Sequence, residues 1–147
     1  MNFSKRSRYG IRALIDMAQN SESCMQLNDI AERNGIPAKY LEQIFSALRK
    51  AGILRSVKGA QGGYFLARKP GDLKLADIIQ TLDGDYLLED EEFRGGEKGE
   101  AEAFAVQTEI IAPINEQIYE FLNTLTLRKL TECSEQYKET AQDMYYI

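Results

Sequence analysis

The side chains best suited to chemistry stand in the stretch AKYLEQIFSALRKAG, which begins at Ala38. If this stretch is a helix, its polar residues share one face or flank it. The face has Lys39, Gln43, Ser46 and Lys50, and its flanks have Glu42 and Arg49. Glutamine can pair with adenine, glutamate can accept from the cytosine amine, and lysine or arginine can meet guanine or phosphate. The pattern therefore suits the reading of DNA bases, although an ordinary solvated helix face is also polar.

A second basic feature follows in SVKGAQGGYFLARK, residues 56–69. Gly59, Gly62 and Gly63 fall within five residues, and Lys58 stands just before them. The flanking stretches ILRSV and GYFLA predict two short strands around this turn, and glycine lets such a turn approach a surface without a Cβ clash. Lys58 could then enter a minor groove or lie along phosphates. A nucleotide-binding phosphate loop is the competing interpretation, but no GK[ST] motif follows and no helix opens there.

Apolar periodicity predicts the helices that must hold this surface in place. A first helix is expected over residues 5–19 with Ser4 as its N-cap, and LNDIAERN predicts a second. Gly35 would end the second helix, because glycine tolerates the left-handed conformation, and Pro37 suits the first turn of the third. Four groups of apolar residues, one for each of these three helices and for a fourth after the hairpin, predict the buried faces. In chain order they are Ile11, Leu14, Ile15 and Ala18; Leu27, Ile30 and Ala31; Leu41, Ile44, Phe45 and Leu48; and Leu75, Ile78, Ile79 and Leu82. Two short helices, a glycine turn and a following hairpin are the order of a winged helix-turn-helix, in a mainly α fold.

Charge is divided unevenly along the chain. Residues 1–69 hold twelve Lys/Arg and five Asp/Glu, a net of +7, whereas residues 70–147 hold six and eighteen, a net of −12. A basic half favours a nucleic-acid partner, although chance segregation on solvated surfaces would look the same. Lys5, Arg6 and Arg8 crowd the first turn of the first helix, where the helix dipole disfavours cations, so a nearby polyanion is expected.

Several classes of protein are disfavoured by composition. The chain has no histidine and no evident pair of nucleophile and base, so an enzyme is not expected. It has no apolar run of membrane-spanning length, and its first residues lack the apolar core of a secretory signal. Its two cysteines do not make a disulfide framework, so the expected compartment is the cytoplasm and no membrane partner is expected.

The carboxyl-terminal half has a different pattern. Residues 83–100 contain eight acidic residues, two basic residues and four glycines, which predicts a mobile loop after the DNA-binding domain of residues 1–83. Residues 101–147 would then form a long helix and a tail. An apolar seam along that helix predicts a homodimer interface, or packing back on the chain's own domain. The seam includes Phe104, Ile111, Ile114, Ile118, Phe121 and Leu125, and Pro113 would either kink the helix or start a second one.

The residues just described carry a family resemblance. YLEQIFSALRKAGILRSVKGAQGGYFLA resembles the recognition helix and wing of the Rrf2 family of bacterial winged-helix regulators. SKRSRYGIRALIDMA resembles its first helix, and FLNTLTLRKL resembles the end of its dimerisation helix. The resemblance covers residues 3–83 and 117–131, and it is absent over residues 84–103. It implies a homodimeric repressor on a palindromic operator, with base contacts from Lys39, Glu42 and Gln43 and a minor-groove contact from Lys58.

The chain departs from the family at the loop after the fourth helix. Members that bind an iron–sulfur cluster have three cysteines in this loop, whereas residues 83–100 have none. Cys24 and Cys133 cannot supply a full ligand set, so no cofactor and no metal is expected. The resemblance then favours the cluster-free branch that regulates cysteine and sulfur metabolism. The alternatives are a redox-sensing or small-molecule-sensing regulator of another pathway, and a winged helix that binds protein.

Two further features are candidates for regulation. Cys24 precedes the second helix in a polar run, where a thiol can oxidise readily, although a half-buried inert cysteine is an equal alternative. The chain ends in DMYYI, and Tyr145, Tyr146 and Ile147 with a carboxylate could form a docking element. The resemblance suggests cysteine synthase (O-acetylserine thiol-lyase) as its partner. Alternatively, the end folds back onto the dimer.

Overall fold

The computed structural model describes residues 2–20 and 23–145, and it is mainly helical. Within these residues it forms seven α-helices and one pair of strands. These are α1 (Lys5–Gln19), α2 (Leu27–Asn34), α3 (Ala38–Lys50), β1 (Leu54–Val57), β2 (Gly63–Leu66), α4 (Leu75–Asp83), α5 (Glu100–Val106), α6 (Ala112–Thr124) and α7 (Leu127–Tyr145). A 3₁₀ turn covers Pro70–Asp72, and a π-helical turn, Gln107–Ile111, joins α5 to α6.

The first four helices pack around one apolar core, as the periodicity predicts. Most residues of the predicted stripes form its centre; Leu14, Ile30, Leu41, Ile44, Phe45, Leu48 and Ile78 are fully buried. Ile15, Ala18 and Leu27 are half-buried at its edge. Ser4 caps α1, since its hydroxyl accepts from the Ser7 amide at 3.1 Å. Gly35 ends α2 with a φ of 63°, in the left-handed region where glycine has no Cβ penalty. Both predicted helix boundaries are confirmed.

The two strands form an antiparallel hairpin that packs against the helical core. Leu54 lies opposite Leu66, and Val57 lies opposite Gly63. Met25, just before α2, pairs with Tyr64 of β2 in an isolated bridge. The Met25 amide donates to the Tyr64 carbonyl at 2.9 Å, and the Tyr64 amide donates to the Met25 carbonyl at 2.8 Å. The Tyr64 ring meets Phe45 of α3 edge to face, with 4.9 Å between centroids. These contacts fix the hairpin beside α3.

Pro113 starts a second α-helical segment. It is the second residue of α6, directly after the π-helical turn. A proline cannot donate an amide hydrogen bond, but in the first turn of a helix that donor is not required. The chain therefore remains helical from Glu100 to Thr124.

The carboxyl-terminal residues differ from the predicted long helix and tail. The helix ends at Thr124, and Leu125 is extended. The Leu75 amide bonds to the Leu125 carbonyl, and the Leu127 amide to the Leu73 carbonyl, both at 2.9 Å. α7 then returns along α1. The prediction missed α7 because Leu127 is its one fully buried aliphatic residue, and most other positions are polar.

The acidic segment between α4 and α5 is held along α6 over its first half. Tyr86 is buried, and the Asn115 amide clamps the backbone of Leu88, accepting from its N–H at 2.7 Å and donating to its carbonyl at 3.0 Å. The predicted mobility of this segment stays a prediction. No helix in the described part of the chain is long and apolar enough to cross a membrane.

Candidate nucleic-acid interface

The polar side chains of α3 lie on its exposed face. Its apolar residues are fully buried in the core, so the opposite side of the helix faces solvent. Lys39, Glu42, Gln43, Arg49 and Lys50 are exposed, and Ser46 is half-buried. The structure thus brings together the six residues that the sequence selects on this helix.

A polar groove of about 590 Å³ separates α3 from the start of α2 and from the hairpin. Glu42, Ser46 and Arg49 of α3 line one side of it. The other side has residues that the sequence analysis missed: Gln26, Leu27, Asn28, Ser56 and Tyr64. Gln26, Leu27 and Asn28 are at the start of the second helix, and Ser56 and Tyr64 are on the two strands of the hairpin, and these positions were the available signal. The groove is therefore a polar cavity beside the exposed polar face of α3.

The hairpin turn is a wing whose shape depends on glycine. A Cβ on Gly62 would lie 2.1 Å from the Val57 carbonyl oxygen, and a Cβ on Gly63 would lie 2.5 Å from that of Met25. The side-chain amide of Gln26 also donates a hydrogen bond to the Gly62 carbonyl at 2.6 Å. Gly62 is buried and Gly63 half-buried, so they serve the turn itself rather than an exposed contact surface. Lys58 and Gly59 are exposed at the tip, and Gly59 has a φ of 111°.

The cations of α1 lie close to the start of α3. The rings of Tyr9 and Tyr40 meet edge to face at 5.7 Å between centroids, and Lys5 lies over the Tyr9 ring at 5.8 Å. Arg8 is exposed and lies over the Phe3 ring at 5.2 Å. Lys5 therefore extends the basic surface next to α3, Arg8 is exposed on the same helix turn, and Arg6 is half-buried.

Asp83 compensates the positive charge at this helix end. The Ser4 amide donates to its carboxylate at 3.1 Å, and the Ser4 hydroxyl makes a second hydrogen bond. Burial opposes ionisation of Asp83, but the hydrogen bonds from Ser4 and the charge of Arg6 outweigh it and lower the pKa of Asp83. The ionised carboxylate thus ties the end of α4 to the start of α1.

The predicted dimer seam divides between two environments. Ile118 and Leu125 pack against the chain's own core, and Ile111 is half-buried. Ile114 and Phe121 are 40% and 64% exposed. With Val106 and Ile110, which fall at helical spacing before them, they form an exposed apolar stripe on α5, the π-helical turn and α6. Phe104 and Tyr119 are also exposed on these helices.

An apolar groove of about 610 Å³ lies beside this stripe, between α1, α4, α6 and α7. Its lining is almost wholly hydrocarbon: Phe3, Ile11, Ile15, Leu75, Ile79, Gln117, Ile118, Phe121, Leu122, Leu125 and Leu130. A continuous apolar surface of this kind marks a protein interface in a soluble chain.

The remaining candidate residues lie apart from the DNA-facing surface. Cys24 and Cys133 are both exposed and unbridged. Tyr145 is 88% exposed at the end of α7, and Tyr146 and Ile147 lie outside the described residues. Among residues 2–20 and 23–145, no three His, Cys, Asp or Glu side chains come together as metal ligands.

Comparison with known proteins identifies the family. The model of the Rrf2 family, described as an iron-dependent transcriptional regulator, matches residues 3–133. The chain belongs to the Rrf2 family. The transcriptional regulator IscR of Cronobacter sakazakii is 35% identical over 136 residues, which is 92% of this chain and 83% of that protein. Protein rrf2 of Nitratidesulfovibrio vulgaris is 46% identical over 84 residues, or 56% of each chain.

Solved Rrf2 structures have the same fold. CymR, the global cysteine regulator of B. subtilis, superposes with a TM-score of 0.75 at 32% identity, over 90% of this chain and 97% of that one. IscR of T. potens superposes with a TM-score of 0.73 at 36% identity, over 93% of this chain and 90% of that one. The mainly helical winged-helix prediction is therefore confirmed, and these relatives are transcriptional regulators rather than enzymes.

Proposed function

We propose that this chain is a dimeric repressor that binds palindromic DNA through α3 and the wing. The observation that carries the proposal is the exposed row of Lys39, Glu42 and Gln43 beside the fixed wing with Lys58. A helix inserted in the major groove would present the row to base edges, while Lys58 reaches the backbone or minor groove.

Footprinting on DNA from upstream of the protein's own coding region tests the proposal. We expect saturable protection of two half-sites about one helical turn, or a multiple of it, apart. A complete lack of saturable binding there and in genome-wide binding mapping would favour a winged helix that binds protein instead.

The second subunit is the proposed occupant of the apolar groove and stripe. Phe121 lines the groove and is 64% exposed, which is a large apolar surface for an isolated chain. In a twofold dimer the same patch is used by both copies, so one stripe and one groove per chain would cover each other.

We propose further that this regulator works without an iron–sulfur cluster, although its family is described as iron-dependent. The chain has two cysteines and no histidine, and the segment after α4 offers carboxylates. Cys24 precedes α2, whereas Cys133 is on α7. This donor set does not fit a cluster within one subunit, because clusters need thiolate or imidazole ligands. Anaerobically purified protein with stoichiometric iron and sulfide and visible absorbance would contradict the proposal.

Cysteine or sulfur metabolism is the proposed regulon. The support is the likeness to the B. subtilis cysteine regulator and the lack of a cluster ligand set. Binding sites mapped across the genome should lie upstream of genes for sulfur uptake and cysteine synthesis. Sites confined to another pathway would assign this chain a different regulon.

Cys24 is the proposed redox-sensitive residue. Its thiol is exposed, and the next residue, Met25, bonds to the wing strand. Oxidation there would act next to the DNA-facing groove. Thiol labelling should be faster at Cys24 than at Cys133, and labelling no faster than that of a free-cysteine peptide rejects the proposal.

The chain end is the proposed docking element for cysteine synthase. Met144 and Tyr145 are 72% and 88% exposed, so the last helical turn is open to a partner. Deletion of Ile147 should abolish capture of the synthase while dimer mass and DNA affinity stay unchanged. Retained capture after the deletion, or no capture by the full chain, rejects this partner.

A further inference from the structure

A second polar cleft, of about 480 Å³, lies between α1, α2 and α7. It shares no residue with the DNA-facing groove. Its lining is Arg12, Ile15, Asp16, Gln19, Arg33, Asn34, Ser134 and Lys138. Three helices that are distant in sequence thus converge on one volume, which is within the size range of small-molecule sites.

The charges in the cleft are not balanced. Arg33 pairs with Asp16 through two contacts of 3.1 and 3.2 Å, and the Asn34 amide donates to the same carboxylate at 2.7 Å. The single carboxylate of the cleft is therefore already satisfied.

Arg12 and Lys138 meet only neutral acceptors within the described residues. Arg12 donates to the backbone carbonyl of Asn34 and lies over the Tyr9 ring at 5.5 Å. Lys138 donates to the Gln19 side-chain oxygen at 2.8 Å. Two positive charges in the lining of the cleft, one on α1 and one on α7, therefore lack a paired carboxylate in the described part of the chain.

A hydroxyl in the same lining, that of Ser134, remains available as a donor. The Gln19 amide donates to the Ser134 oxygen at 3.1 Å, so Ser134 is used as an acceptor and keeps its own proton. Guanidinium, ammonium and hydroxyl groups together are the donors that hold carboxylate or phosphate oxygens.

We propose that this cleft binds a small organic anion with two negative charges, held between Arg12 and Lys138 and hydrogen-bonded by Ser134. Such an anion would neutralise both cations at once. It would also link α1 to α7 through these side chains, and Arg12 already bonds to the Asn34 carbonyl at the end of α2, the first helix of the helix-turn-helix.

Calorimetric titration of the full-length protein with succinate and with inorganic phosphate tests the proposal and separates carboxylate from phosphate chemistry. At constant ionic strength, at least one of the two should bind saturably, and acetate should bind more weakly. Arg12→Gln and Lys138→Gln should each weaken binding about tenfold, the effect of one charged hydrogen bond. Arg12→Lys keeps the positive charge and should retain part of the anion affinity.

Lys98→Gln is the matched control, since Lys98 is exposed and outside the cleft. It should leave anion binding unchanged, and melting curves of each variant check that the fold is intact. Absence of saturable binding by both anions, or an equal loss in the control, overturns the proposal. The proposal also fails if Lys138→Gln weakens operator binding without added anion, because the cleft would then be a DNA phosphate contact.

Discussion

At the scale of single residues, the DNA-facing surface depends on two different properties. Glu42 and Gln43 are important for the side chains they expose, whereas Gly62 and Gly63 are important because a side chain would not fit. In the sequence, both sets are candidates for the DNA-facing surface. Only the packing distinguishes a contact residue from a residue that shapes the turn.

Replacement of the base-reading side chains should reduce specificity. Glu42→Ala and Gln43→Ala should each weaken operator binding by about 1–3 kcal/mol and relax the preference at one base pair, since each removes a base contact. Competitive binding to operators changed at single positions measures this. Unchanged affinity and preference in both variants would reject α3 as the reading helix.

Lys58 should act through charge rather than base identity. Lys58→Ala should weaken binding to all sequences similarly and reduce the slope of log affinity against log salt by about 1, because one phosphate contact is lost. Binding measured over a salt series tests this. Lys98→Ala removes an equal charge far from α3 in sequence and should leave the slope unchanged.

Gly62→Ala should destabilise the wing. The new Cβ would meet the Val57 carbonyl at 2.1 Å, and a backbone group can yield only by moving the strand. We expect about 1–3 kcal/mol of lost stability and weaker DNA binding. Gly95→Ala is the control, since its nearest contact is a flexible Glu100 oxygen at 3.8 Å. Equal denaturant midpoints for the two variants would contradict the argument.

Sequence reasoning predicts residues whose partners are close in the chain. Ser4 was predictable as a cap because the Ser7 amide is three residues away. Gln26 was not, because its partner, the Gly62 carbonyl, is 36 residues away and is brought near by the wing. Glutamine before a helix has no distinctive pattern, so its role appears only in the folded chain.

At the scale of elements, the start of α1 is tied to the end of α4 by Asp83. The pKa of this carboxyl is lowered from 3.8, so the folded state favours its ionised form. Its stabilising effect is complete above pH 3.8 and is lost as the pH falls through the lower folded-state value.

Asp83→Asn should therefore reduce stability at neutral pH and flatten the decline in stability below pH 3.8. The amide keeps one acceptor oxygen but loses the charge beside Arg6. Urea unfolding from pH 2.5 to 7 measures this difference. Parallel stability curves for the two proteins would show that Asp83 does not carry this acid dependence.

The Asn115 clamp predicts how the acidic segment moves. Asn115→Ala removes both bonds to the Leu88 backbone, so the Leu88 amide should exchange its hydrogen faster. Hydrogen-exchange mass spectrometry over residues 84–100 measures it. Exchange that is already complete at the earliest time in the unchanged protein would instead support a mobile loop throughout.

Elements with a strong apolar period were predictable, and α7 was not. α3 buries four large apolar residues at helical spacing, so the pattern alone predicts it. α7 buries only Leu127 and Thr131, and Leu130 packs at the edge of the core. Its position on α1 depends on polar contacts, such as Gln19 with Ser134, for which sequence has no periodic signal.

At the scale of the whole molecule, the basic and acidic halves have different tasks. The amino-terminal half carries the exposed cations of α1, α3 and the wing, and its net charge of +7 attracts DNA. The carboxyl-terminal half has the apolar stripe and most of the lining of the apolar groove. Its net charge of −12 repels DNA, so under the proposed function it would favour approach of DNA to α3 and the wing.

Phe121→Glu should convert the proposed dimer to a monomer. Phe121 is 64% exposed in the single chain, so its replacement removes little from the chain's own core. In a twofold interface the change introduces two carboxylates into an apolar contact, where burying unpaired charge is strongly unfavourable. Sedimentation should give the monomer mass. The variant should still unfold in one cooperative transition on melting, which shows that the fold of each chain is intact. Operator affinity should fall steeply, because one chain can occupy only one half-site.

Tyr137→Glu, at an α7 side chain that is 75% exposed, is the matched control and should remain dimeric. A dimer mass for Phe121→Glu would place the subunit interface elsewhere.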